Sequence, residues 1–132
     1  MILFVCDRNA SLSPMAEAIA ANYAPHLNIQ SAGAQASHVR SEVVQVLTEE
    51  RIFSNGLTSK SIHAVDWEDV KEVVVLVPKS QSPQIPSRYE VRYWGLPDPQ
   101  WAPFEERMEA MRDLRDELIR RITALYSQMG LV

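Results

Sequence analysis

Cysteine is almost absent from this chain: Cys6 is the single thiol among 132 residues. One thiol excludes an internal disulfide, a cysteine-based zinc site and an intramolecular dithiol relay. Without a disulfide framework, a cytoplasmic location is the expectation. Long apolar runs are missing as well, and none approaches the roughly 18 residues that a membrane span needs. The start, Met1-Ile2-Leu3-Phe4-Val5-Cys6, has no charged leader and passes at once into polar residues, which argues against a signal peptide. Positive charge is scarce: 13 Lys and Arg against 17 Asp and Glu leave a net charge of -4, the wrong sign for a nucleic-acid surface. His26, His38 and His63 are scattered with no ligand spacing, so no metal site is expected.

What is present suits one globular domain spanning 1–132, long enough to bury a core without staples. Apolar runs alternate with helical patterns, which predicts a parallel α/β architecture with helices on both faces of a four-stranded sheet. Ile2-Leu3-Phe4-Val5 is fully apolar, as a central parallel strand should be. Ser13 as N-cap and Pro14 at the first position predict a helix running to about Tyr23. Further expectations are a strand near 28–31, a tight turn at Gly33, a helix over 40–51 and a short helix over 67–70. The clearest strand is 72–77, followed by a Ser/Gln/Pro loop over 78–88 and an edge strand over 89–93. A last helix begins near Pro103, with Phe104, Met108, Met111, Leu118, Ile122, Leu125 and Met129 as its buried stripe. Its charged faces, from Glu105 to Arg121, form a solvated surface with i,i+4 pairs.

The chemistry concentrates in Cys6-Asp7-Arg8-Asn9-Ala10-Ser11-Leu12-Ser13-Pro14. This segment leaves the carboxyl end of the first strand, where ligands bind in open α/β sheets, and enters a helix N-terminus. Backbone N–H groups and the helix dipole there make an anion site. A thiol in that field should have a lowered pKa and act as a nucleophile near neutral pH.

Cys6, Asn9, Ser13 and Pro14, followed by Met15-Ala16-Glu17-Ala18, resemble the signature Cys-x5-Arg-Ser of the low-molecular-weight protein tyrosine phosphatases and the related arsenate reductases. Ser31-Ala32-Gly33, the Ser59-Lys60 turn and Leu96-Pro97-Asp98-Pro99 fall where that family has its equivalents. The resemblance covers nearly the whole chain. It implies a three-layer α/β domain of flavodoxin-type winding and no cofactor. It also implies Cys6 as the nucleophile forming a phosphocysteine, Ser13 as the hydroxyl that steadies the thiolate, and Asp98 as general acid. Asn9 would hold a left-handed turn of the loop. The segment Asp7, Arg8, Asn9, Ala10, Ser11 and Leu12 would cradle a tetrahedral oxyanion, with Trp101 walling the pocket. Phosphate or another such oxyanion, and beyond it a phosphorylated protein, are the implied partners, with no nucleic acid or membrane among them.

Two positions depart from the pattern. The arginine of the signature falls on Leu12, which neither donates a hydrogen bond nor carries charge, and the small residue two places after the cysteine is Arg8. Losing a guanidinium that clamps the transferring group should lower turnover by roughly a thousandfold. Arg8 lies four residues away, on a loop whose side chains radiate outward, so it reads as a surface cation. Set beside bland alternatives, Cys6 could be a small buried apolar residue, Asp98 a turn former, and Trp94 and Trp101 packing. Three functions stay open. The first is weak phosphomonoester or phosphotyrosine hydrolysis, the second a non-catalytic homologue that binds an oxyanion or phosphorylated partner, and the third arsenate reduction with an external thiol.

Overall fold

In the computed structural model, which describes residues 1–131, the four strands form one parallel sheet in the order β2-β1-β3-β4. Strand β1 (Ile2–Cys6) lies between β2 (Ile29–Gly33) and β3 (Glu72–Val75), and β4 (Val91–Tyr93) closes the far edge. All five residues of β1 are buried, which explains the absence of alternation in Ile2-Leu3-Phe4-Val5. Its register pairs Cys6 with Gly33, so the thiol and the end of β2 emerge side by side.

Three α-helices pack on one another: α1 (Leu12–Tyr23), α2 (Ser41–Glu49) and α3 (Phe104–Gln128). Helix α1 also lies directly on β1 and β2. Two polar ties lock α3 in place. The Tyr126 hydroxyl donates to the carbonyl of Ala20 in α1 at 2.8 Å. The buried Arg115 guanidinium donates to the Val46 carbonyl near the end of α2 at 2.9 Å and pairs with Glu49 at 2.8 Å. A cation at a helix C-terminus is where the macrodipole favours one.

Several boundaries move. Helix α1 starts at Leu12 with Ser11 as its N-cap, earlier than Ser13 and Pro14 suggest. The Ser11 hydroxyl makes no cap bond, and that of Ser13 points to Cys6 instead. The expected helix over 67–70 is a single 3₁₀ turn, Trp67–Asp69, and β3 stops at Val75. On α3 the buried stripe is Met111, Leu114, Leu118, Ile122, Leu125 and Tyr126. Phe104 leaves it, 80% exposed, because the first turn overhangs the core and the ring sits under the Arg107 guanidinium.

Gly33 is needed for a different reason from the turn expected there. Its φ is not in the left-handed region; instead a Cβ would lie 2.6 Å from the Asn9 nitrogen and 2.8 Å from the Asp7 oxygen. The sheet end therefore touches the backbone of the Cys6 loop. Gly33→Ala should destabilise the fold by about 1–3 kcal/mol, the usual cost of overpacking, measured by urea denaturation. An unchanged midpoint would show that the loop yields without cost.

Candidate active site

The loop from Asp7 to Ser11 owes its shape to where its carbonyls go. The Asp7 carbonyl accepts from the Gln35 amide at 3.2 Å, that of Arg8 from the Ser59 hydroxyl at 3.3 Å, and that of Ala10 from the Arg40 amide at 3.0 Å. All three are pulled outward by the surrounding segments. A trans peptide sets each C=O opposite the following N–H, so the amides of Arg8, Asn9 and Ser11 turn inward. For Asn9 this is directly visible, since its N–H donates to Cys6 Sγ at 3.2 Å.

Asn9 adopts the left-handed conformation assigned to it, with φ of 52°. Its side chain is fully buried. Nδ2 donates to Ser13 Oγ at 2.7 Å and to Ser31 Oγ at 2.9 Å, and Oδ1 accepts the Lys60 amide at 2.7 Å. Ser13 Oγ, which accepts from Asn9, also lies 2.8 Å from Cys6 Sγ, where either the hydroxyl or the thiol can donate. Ser31, likewise an acceptor from Asn9, donates to Glu17 Oε1 at 2.6 Å. A buried chain of hydrogen bonds thus runs from the thiol through Ser13, Asn9 and Ser31 to Glu17. Glu17 and Ser31 both stand in motifs that resemble the family pattern, but nothing in spacing alone joins them to Cys6.

The thiol does not behave as the loop position led one to expect. Burial pushes the Cys6 pKa up, ahead of the opposing bonds from the Ser13 hydroxyl and from the Ser13 and Asn9 amides, with the Asp98 charge adding to the rise. Desolvation wins because Cys6 is only 2% exposed and no guanidinium stands at position 12 to favour the charged form. Burial also raises the Glu17 carboxyl, with the Ser31 bond and the Lys60 charge opposing.

Asp98, 87 residues further on than Ser11, is brought onto the same loop. Its Oδ1 accepts from Ser11 Oγ at 2.5 Å and from the Gln100 amide at 3.0 Å, while Oδ2 accepts from Gln100 Nε2 at 2.7 Å. Gln100 escaped the sequence reading because a glutamine beside Asp-Pro carries no motif. Trp101 is 66% exposed and carries the Arg8 guanidinium 5.8 Å above its ring, so Arg8 faces outward. A cleft of about 330 Å³ lined by Asp7, Pro78, Gln81, Leu96, Asp98 and Trp101 opens there. A larger hollow of about 730 Å³ against α3 shares Asp98 and Trp101 with it, and Cys6 lines neither. Leu12 is fully buried within the apolar core. Among the described residues no group of His, Cys, Asp and Glu could hold a metal ion, and no helix is long and apolar enough to cross a membrane.

A parallel sheet of this order carries, after its interior strand β1, a thiol-bearing loop that runs directly into a helix N-terminus. The profile of low molecular weight phosphotyrosine protein phosphatases matches residues 1–130, and the chain belongs to that family. Similar relatives include an arsenate reductase of Bacillus cereus, 30% identical over 98% of this chain and 95% of its own length. Another, from Halalkalibacterium halodurans, is 32% identical over 92% and 91%. Among solved structures, an arsenate reductase in the phosphate binding state superposes with a TM-score of 0.82 at 26% identity, covering 96% of each chain. A low molecular weight protein tyrosine phosphatase from T. tengcongensis does so at 0.77 and 26%, covering 96% of this chain and 97% of its own.

A raised thiol pKa has a definite sign in both reactivity and stability. Alkylation of Cys6 by iodoacetamide should keep accelerating past the ordinary thiol range, whereas a rate already level at neutral pH would mean a thiolate. The unfolded chain releases this proton first, so the stability linked to Cys6 is intact below the unfolded pKa and is lost as pH rises through the folded one. Relative to Cys6→Ser, the native chain should therefore lose stability between neutral and alkaline pH.

Proposed function

We propose that this chain is a weak phosphomonoester hydrolase, acting on aryl phosphates such as phosphotyrosine through a Cys6 phosphocysteine. The observation that carries this reading is that Asp98 is tied to the same loop that holds Cys6, through Ser11 at 2.5 Å. Cys6 Sγ attacks phosphorus as the bond to the leaving oxygen breaks, and Asp98 supplies the proton that oxygen needs. Water, giving its proton to Asp98, then breaks the sulfur–phosphorus bond and returns the thiolate, which the Ser13 hydroxyl receives. The inward amides stabilise the equatorial oxygens. The reaction is slow for two reasons of the same origin: Leu12 contributes no charge to those oxygens, and little Cys6 is ionised at neutral pH. A solved arsenate reductase of this fold is in a phosphate binding state, which supports oxyanion binding by this chain.

A second reading, arsenate reduction, is favoured by the names of the curated relatives. Cys6 would displace hydroxide from arsenate. An external thiol would then attack Cys6 Sγ, forming a disulfide as the sulfur–arsenic bond breaks and its electron pair reduces As(V) to As(III). A second thiol would release Cys6. With one cysteine in the chain, both thiols come from outside.

Slow nitrophenolate release from p-nitrophenyl phosphate is expected, abolished by Cys6→Ser. Leu12→Arg should raise kcat/KM by about a thousandfold, the low end of the range measured for arginine clamps. The Leu12→Arg melting temperature checks that a charge at this buried site leaves the fold intact. No release even at high protein concentration, with phosphate still binding by calorimetry, would replace this reading with that of a non-catalytic oxyanion binder. Arsenite formation that depends on added thiol would instead favour the second reading.

A further inference from the structure

We infer that Gln100 is a positioning residue which, with Ser11, clamps the Asp98 carboxylate onto the Cys6 loop; its catalytic aspect rests on the hydrolase reading above. The geometry is that of a two-sided grip. The Gln100 side-chain amide takes Oδ2 at 2.7 Å, and its backbone amide takes Oδ1 at 3.0 Å. Ser11 donates to Oδ1 at 2.5 Å. Gln100 Nε2 also reaches Ser11 Oγ at 3.4 Å, which closes the ring of contacts. Ser11 and Gln100 are both buried, at 0% and 8% exposure, so neither hydrogen bond is easily exchanged for water.

The clamp explains two otherwise separate features. Ser11 sits at the helix N-cap yet makes no cap bond; its hydroxyl is turned to Asp98 instead. Asp98 stands half-buried between two prolines on a separate loop, yet its charge is felt at the buried Cys6. A carboxylate so held does two things. It is aimed at the leaving oxygen of a bound ester, and it repels any anion entering the cradle.

These effects have opposite signs and can be measured separately. The native chain, Gln100→Leu, Ser11→Ala, Asp98→Asn and the Gln100→Leu/Asp98→Asn double variant are compared with aryl phosphates of graded phenol pKa and with inorganic phosphate. If Gln100 aims Asp98, Gln100→Leu lowers kcat by about tenfold for poor leaving groups, a fraction of what a general acid supplies, and far less for good ones. It adds nothing in the Asp98→Asn background. A merely structural role would lower all substrates alike. Calorimetry with inorganic phosphate reads the clamp without turnover: Gln100→Leu, Ser11→Ala and Asp98→Asn should each bind several-fold tighter. If the native chain turns over no substrate, the hydrolase reading falls and the phosphate titration alone decides the clamp. Unchanged phosphate affinity in Gln100→Leu and Ser11→Ala, or a uniform loss of rate across leaving groups, would overturn it.

Discussion

The whole site hangs on the Asn9 side chain. Its backbone takes a left-handed turn that most residues resist, and its amide group then fixes three segments of the chain at once. Through Ser13 it reaches α1 and the thiol, through Ser31 it reaches β2 and Glu17, and through the Lys60 amide it holds the crossover loop. Each bond contributes about 0.5–1.5 kcal/mol, and a buried partner left unpaired costs more than that. The larger effect is positional. With Asn9 as donor to both serines, Ser13 Oγ is held 2.8 Å from Cys6 Sγ. The shape of the loop is therefore fixed by bonds within the protein itself.

Charge is where the site departs from what such a cradle would ordinarily hold. A guanidinium beside the thiol would favour its ionised form and attract a dianion. Leu12 provides neither effect, and burial then keeps the thiol protonated. The two losses partly offset each other: an entering phosphate meets no clamping cation, but it also meets little thiolate. The remaining attraction comes from inward amides and the start of α1, which act at short range. Binding and reactivity therefore separate, since the charge state that admits the anion most readily is the one in which sulfur is least nucleophilic.

Much of this was legible in the sequence, and the reasons it was not complete are physical. The fully apolar run 2–5, the Asn9 turn and the helix entry follow from local rules about burial, left-handed backbone and helix starts. The parallel sheet follows from their alternation. The ends of elements did not follow, because they depend on distant partners. Ser13 satisfies the local pattern for a cap but its hydroxyl lies against Cys6, and Ser11 takes the cap position without its bond, its hydroxyl turned toward Asp98. Gly33 announces a turn, whereas what it provides is room, since a Cβ there would lie 2.6 Å from the Asn9 nitrogen. Arg115 looks like one more surface charge on α3 until α2 presents Val46 and Glu49 to it. The thiol pKa failed for the same reason: position at a helix start was visible, but the depth of burial was not.

Leu12 now has a meaning beyond the charge it lacks. As the first residue of α1 it is fully buried, and an apolar side chain of its size stabilises a fold by about 1.5–3 kcal/mol when removed from water. Leu12 therefore serves the core. The hydrogen bonds of Asn9, the outward pull on three carbonyls and the close approach of Gly33 stand beside that burial. The shape of the loop is set by these bonds and by close packing, with no charge at position 12 taking part.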